Sequence, residues 1–148
     1  MSNHVSALAH KLIKGLKFIA FDVIRRYHSI VPPFVECYAG GPRNIGPVFK
    51  KEAHLLYALG RLFMPNYIIE IGCGASTIAF AEAIRENGRG HVVTVDISES
   101  SIKLCTRRLK LHGLLPFVSF IKGSSNEQTI ISQVADKLRS GGGRYLVH

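Results

Sequence analysis

Acidic residues are scarce in this chain. Ten Asp and Glu stand against 19 Lys and Arg, a net charge of +9 over 148 residues. That imbalance fits an acidic partner, whether nucleic acid, anionic lipid or an anionic small molecule, and equally a basic surface kept for solubility. Cysteine is sparse too: Cys37, Cys73 and Cys105 are the only three, and no Cys-x-x-Cys spacing occurs. Neither a disulfide framework nor a thiolate zinc site is indicated, and a reducing, cytoplasmic setting is expected. The seven histidines include no His-x-x-x-His pair, so a local histidine metal site has no support. No apolar run nears the roughly 20 residues of a membrane-spanning helix. Nor does the N-terminal stretch carry a secretory apolar core with a small-residue cleavage site. What is present, 47% hydrophobic and 20% charged residues, is a globular composition with enough chain for one domain and its core.

Three units follow one another. In residues 5–28, Val5, Leu8, Ala9, Leu12, Ile13, Leu16, Ile19, Ala20, Val23 and Ile24 recur at helical spacing. Lys11, Lys14, Lys17, Arg25 and Arg26 are the bases of this stretch and Asp22 its only acid. Such a helix fits packing on a globular body, lying on an anionic membrane surface, or organelle targeting. Residues 31–47 hold Pro32, Pro33, Pro42, Pro47, Gly40, Gly41 and Gly46, which predicts a loop. The expected organisation is therefore a basic helix over 1–30, a linker over 31–46, and a folded domain over 47–148.

Within that domain Pro47 suits the first turn of a helix reaching about Met64, with Pro65 ending it. Leu55, Leu56, Leu59 and Leu62, or close neighbours, are its expected buried face. An alternation follows: strand 67–71, helix 76–86, a turn at Asn87-Gly88-Arg89-Gly90, and strand 91–95. Ser98 then caps a helix to about His112, stopped by Gly113. Strand 117–121, helix 127–138, a Gly141-Gly142-Gly143 loop and a last strand from Tyr145 complete the pattern. Strands separated by helices of this length predict an α/β fold, a Rossmann-like doubly wound parallel sheet with helices on both faces.

One segment constrains the ligand. Residues 68–77 read Ile-Ile-Glu-Ile-Gly-Cys-Gly-Ala-Ser-Thr. An apolar strand ends in Glu70, Gly72 and Gly74 form the turn, and a helix begins. Such a turn lets backbone approach a nucleotide-like ligand, and the helix aims its free N–H groups at it. Ser76 and Thr77 are there to bond that ligand or to cap the helix. Asp96 directly follows the second strand, 24 residues after Gly72. At the carboxyl edge of a parallel sheet an acid there can accept both hydroxyls of a ribose, or it can cap the next helix. Gly123-Ser124-Ser125 follows the third strand and offers hydroxyls at the same edge, or only a turn.

The motif Glu-x-Gly-x-Gly-x-Ser-Thr, then Asp96 after Val-Val-Thr-Val, then Gly-Ser-Ser, resembles the class I S-adenosylmethionine-dependent methyltransferases. The nearest group is the small-molecule O-methyltransferases, which include catechol O-methyltransferase-like enzymes. Glu52-Ala53-x-Leu55-Leu56 also resembles the helix leading into their first strand. The resemblance covers residues 47–148 and implies S-adenosylmethionine as cofactor and a small-molecule oxygen or nitrogen as methyl acceptor. It implies that Glu70, Gly72, Cys73 and Gly74 meet the methionine part, with Ser76 and Thr77 nearby. Asp96 would hold the ribose, Ile97 would pack on adenine, and Ser124 or Ser125 would bond its amino group. A dinucleotide-binding domain fits less well, because Thr77 stands where its third glycine is expected.

That family's sheet continues beyond its fourth strand, whereas here the sequence stops at His148. The expectation is a domain incomplete at its C-terminal side, with the last strand an unprotected edge prone to self-association. No catalytic base can be named, and no metal ligands are expected; His148 is the only titratable group near the place for a base. The rival reading is a non-catalytic basic module that docks its N-terminal helix on anionic membrane. Nucleic acid is the lesser option, since no RNA-binding signature occurs.

Overall fold

The computed structural model describes residues 50–141 and 143–148. The expected helix over 5–28, the loop over 31–47 and the helix start at Pro47 lie outside the described residues. Nine elements follow in order: α1 (Lys50–Phe63), β1 (Tyr67–Ile71), α2 (Ala75–Asn87), β2 (His91–Asp96), α3 (Glu99–Leu111), a 3-10 turn (Leu115–Phe117), β3 (Val118–Lys122), α4 (Gln128–Gly141) and β4 (Tyr145–Val147).

The strands form one parallel sheet in the order β3-β2-β1-β4. Ile68 and Val92 point to one face, where they join Phe80 and Ile84 of α2, Leu109 of α3 and Tyr57 of α1. Ile69, Val93, Val95 and Ile121 point to the other, against Ile130, Val134 and Leu138 of α4. Burial on both faces explains why β1 and β2 read as nearly continuous apolar runs, broken by Glu70 and Thr94, rather than as an alternation. The doubly wound sheet expected from the sequence is present.

Local chemistry sets most boundaries. Ser98 caps α3, its Oγ accepting the Ser101 N–H at 3.2 Å. Glu99 in the first turn and Arg108 and Lys110 in the last oppose the helix dipole. Several boundaries differ from expectation by one to three residues; β2, for example, continues through Asp96. Phe117 lies in the 3-10 turn, so β3 starts one residue later. Helix α4 continues to Gly141, the first glycine of the expected loop. And α2 begins at Ala75 with Gly74 at its N-cap, one position ahead of Ser76.

The face of α1 also differs. Leu56 is buried, but Leu62 is 46% exposed, and Ala53, Tyr57 and Ala58 take the inner positions instead. The cause is a close helix crossing: a Cβ on Gly60 would stand 2.7 Å from the Ala83 Cβ of α2. Small residues let the backbones approach, which rotates the leucines outward. Gly60→Ala is therefore expected to lower stability by about 1–2 kcal/mol, since overpacking outweighs the gain in helix propensity. Urea unfolding checks this, and an unchanged or higher midpoint would show that α1 and α2 separate freely.

Strand β4 lies at the sheet's edge beside β1. Pairing runs past its last residue, because the His148 N–H donates to the Ile69 carbonyl at 2.8 Å and the His148 carbonyl accepts from Ile71 at 3.0 Å. Tyr145 and Val147 are exposed on this strand among the described residues.

Candidate active site at the carboxyl edge of the sheet

The chain turns sharply after β1. Gly72 takes φ +87°, a left-handed conformation that costs a side-chain-bearing residue energy, and its N–H donates to the Val95 carbonyl at 2.7 Å. That bond ties the turn to the end of β2. The next amide, Cys73 N–H, donates to Asp96 Oδ2 at 2.7 Å. The other oxygen, Oδ1, accepts the Ser98 N–H at 2.7 Å. Asp96 and the glycine turn, far apart in sequence, thus meet directly. Burial pushes the Asp96 carboxyl up, but the Cys73 and Ser98 amides outweigh it and hold the group below its ordinary value. The site therefore presents an ionised carboxylate.

Beneath the turn lies a buried relay. The Gly74 N–H donates to Thr77 Oγ1 at 2.8 Å, and Thr77 Oγ1 donates to Glu70 Oε2 at 2.6 Å. Glu70 is fully buried, and burial pushes its carboxyl up to about 7 against the pull of the Ser76, Thr77 and Thr94 hydroxyls. Its second oxygen, Oε1, has no hydrogen bond. His148 Nδ1 stands 4.0 Å from that oxygen, and the His148 ring meets Phe80 edge-on with centroids 5.4 Å apart. Cys73 is buried, and a hydrogen bond with Cys105, reinforced by burial, pushes its thiol far up, which makes it a poor nucleophile.

A cleft of about 200 Å³ opens above these groups. Ile71 and Gly72 form one wall, Val95, Asp96 and Ile97 the second, and Gly123, Ser124 and Ser125 the third. Five of the residues singled out in the sequence, Gly72, Asp96, Ile97, Ser124 and Ser125, thus share one cleft. Glu70, Cys73, Gly74, Ser76 and Thr77 lie buried under it and shape the turn. Gly123, read in the sequence as part of the same element as the two serines, lines the cleft too, whereas Ile71 and Val95 escaped the sequence reading. Their only signal was position, at the ends of the expected strands. Among the described residues no group of three or more His, Cys, Asp or Glu could hold a metal ion, and no helix is long and apolar enough to cross a membrane.

A parallel sheet with a glycine turn after its first strand and an acid after its second is common to several nucleotide-binding folds. Comparison with known proteins separates them: residues 66–138 match the family described as "Methyltransferase domain". Over these residues the chain is similar to that family, and its sheet and helices have the class I methyltransferase fold. The probable cobalt-precorrin-6B C(15)-methyltransferase (decarboxylating) of Saccharolobus solfataricus is 29% identical over 100 residues, covering 66% of this chain and 50% of that protein. The SAH-bound methyltransferase PaMTH1 of Podospora anserina superposes with a TM-score of 0.51 at 27% identity, over 56% of this chain and 36% of that one. Cofactor-bound Rv0187 from MTB shares the fold, with a TM-score of 0.55 at 22% identity over 72% of this chain and 45% of that one. The chain thus spans about half the length of the curated relative it matches.

Proposed function

We propose that the chain binds S-adenosylmethionine at the carboxyl edge of its sheet and serves methyl transfer to an oxygen or nitrogen of a small molecule. One observation carries the reading: the Asp96 carboxylate closes onto the glycine turn at 2.7 Å, at the mouth of a cleft it shares with Ile97, Ser124 and Ser125. Each Asp96 oxygen spends one lone pair on a backbone amide and keeps another for a ligand hydroxyl. That suits the adjacent hydroxyls of a ribose. Ile97, 73% exposed, offers a flat apolar surface to the adenine ring, and Ser124 or Ser125 its hydroxyl to the amino group. The backbone of Gly72, Cys73 and Gly74 lies on the side where the methionine part would extend, with Glu70, Ser76 and Thr77 fixing that backbone from below.

When bound, the cofactor supplies an electrophilic methyl group on a sulfonium. The chain's own contribution is positioning: it holds the adenosine rigidly and keeps a negative charge near the cationic ligand.

Calorimetric titration with S-adenosylmethionine and S-adenosylhomocysteine tests the assignment. Binding is expected, and Asp96→Ala should weaken it by about 1–3 kcal/mol, roughly 5- to 150-fold. Asp96→Asn retains a backbone acceptor while losing the charge, and it should fall between the two. A folded wild-type chain that releases no heat with either compound would defeat the cofactor assignment, and an unchanged affinity in Asp96→Ala would remove the role given to that residue.

A further inference from the structure

We infer that His148 is a positioning residue for the glycine turn: from the end of β4 it restrains Glu70, and Glu70 through Thr77 fixes the Gly74 amide. The inference rests on the cofactor reading above only for its consequence in binding; the restraint itself belongs to the ligand-free chain.

Four observations converge. Glu70 Oε1 is buried with no hydrogen bond, which is costly whether that oxygen bears the proton or the charge. His148 Nδ1 is 4.0 Å away, an ion-pair distance that a small ring movement converts into a hydrogen bond. The His148 ring is held, because Phe80 packs against it and its backbone pairs with Ile69 and Ile71 of β1. And the opposite oxygen of the same carboxylate already holds Thr77, which holds Gly74. A push or pull on Glu70 from β4 is therefore felt at the turn.

The groups facing Glu70 are few. Asp96 comes from β2 and disfavours the ionised form. The His148 ring reaches Glu70 from the residue just past β4. Helix α2 contributes the Ser76 and Thr77 hydroxyls, and β2 that of Thr94.

The test uses the ligand-free full chain, with the Glu70 carboxyl carbon and the Gly74 amide followed by NMR across pH. In the wild type both signals should move with one midpoint. His148→Phe keeps the ring on Phe80 and removes donor and charge, so the Glu70 midpoint should rise by about one pH unit. Exchange of the Gly74 amide should quicken by roughly 3- to 10-fold. His148→Asn, whose side-chain N–H can occupy the Nδ1 position, should restore Gly74 protection, and it also serves if the Phe variant does not fold. Unchanged Glu70 and Gly74 signals in the variants would overturn the inference. In calorimetry, S-adenosylhomocysteine should bind His148→Phe about 3- to 10-fold more weakly than wild type. Equal affinity would equally overturn it. A wild type that binds nothing would instead count against the cofactor reading, and the NMR result alone would then decide the role of His148.

Discussion

Folding stability should fall by roughly 3 kcal/mol as pH rises from about 4.5 to about 8, and Glu70→Gln should abolish that fall. The carboxyl is fully buried, and burial lifts it from 4.5 to about 7 in the folded chain. Below its unfolded value the group is protonated in both states and costs nothing. Between the two values the unfolded chain releases its proton while the folded chain keeps it, so each step up in pH favours unfolding. Above the folded value both states are ionised and the full burden of a buried charge remains. Asp96 has the opposite sign, since its folded value is depressed, and it stabilises the fold above its unfolded value. The comparison must therefore be a difference between wild type and Glu70→Gln measured by urea unfolding at each pH. The amide keeps an acceptor for the Thr77 hydroxyl, so the relay to Gly74 survives the substitution. Parallel stability curves for the two proteins would show that Glu70 is not the titrating group.

Gly90→Ala is expected to destabilise the domain by about 3 kcal/mol or more, with little change in ligand affinity of the folded fraction. Gly90 has φ +102°, and a Cβ there would stand 2.5 Å from the Pro65 carbonyl oxygen and 2.6 Å from Ile84 Cδ1. The isoleucine methyl can swing aside. The carbonyl cannot, because the next residue is pinned from both sides: the Asn66 carbonyl accepts from His91 at 3.0 Å and its N–H donates to Arg144 at 2.8 Å. Strain in the backbone conformation adds to the clash. All of this lies at the amino end of the sheet, opposite the cleft, so binding should be spared. Thermal or urea unfolding gives the first quantity and calorimetry the second. A loss of less than about 1 kcal/mol would mean that the Pro65–Asn66 strap yields easily.

Where the sequence succeeded, the controlling physics was local. A valine-rich run bounded by Gly90 and Asp96 forms a strand wherever it finds neighbours. Ser98 caps α3 because its hydroxyl needs only an amide three residues on. The glycine turn followed from two residues without side chains between an apolar strand and a helix. The sequence left Ser76 and Thr77 open between ligand and cap; in the fold the Thr77 hydroxyl, at the third helical position, accepts from the Gly74 N–H and donates to Glu70. The burial of α1 was misread because its leucines were weighed without Ala83, a residue contributed by another helix.

The succession of strands and helices along the chain and the spacing of acid and glycines were legible in the local pattern alone, because strand and helix periods and a glycine's backbone freedom depend on near neighbours in sequence. Folding in three dimensions decided the rest. It brought Asp96 onto the Cys73 amide, buried Glu70 until its carboxyl holds a proton near neutrality, and set His148 beside it. A proton affinity and a cleft wall depend on which distant groups exclude water around them, and that is a property of packing, which no stretch of sequence carries by itself.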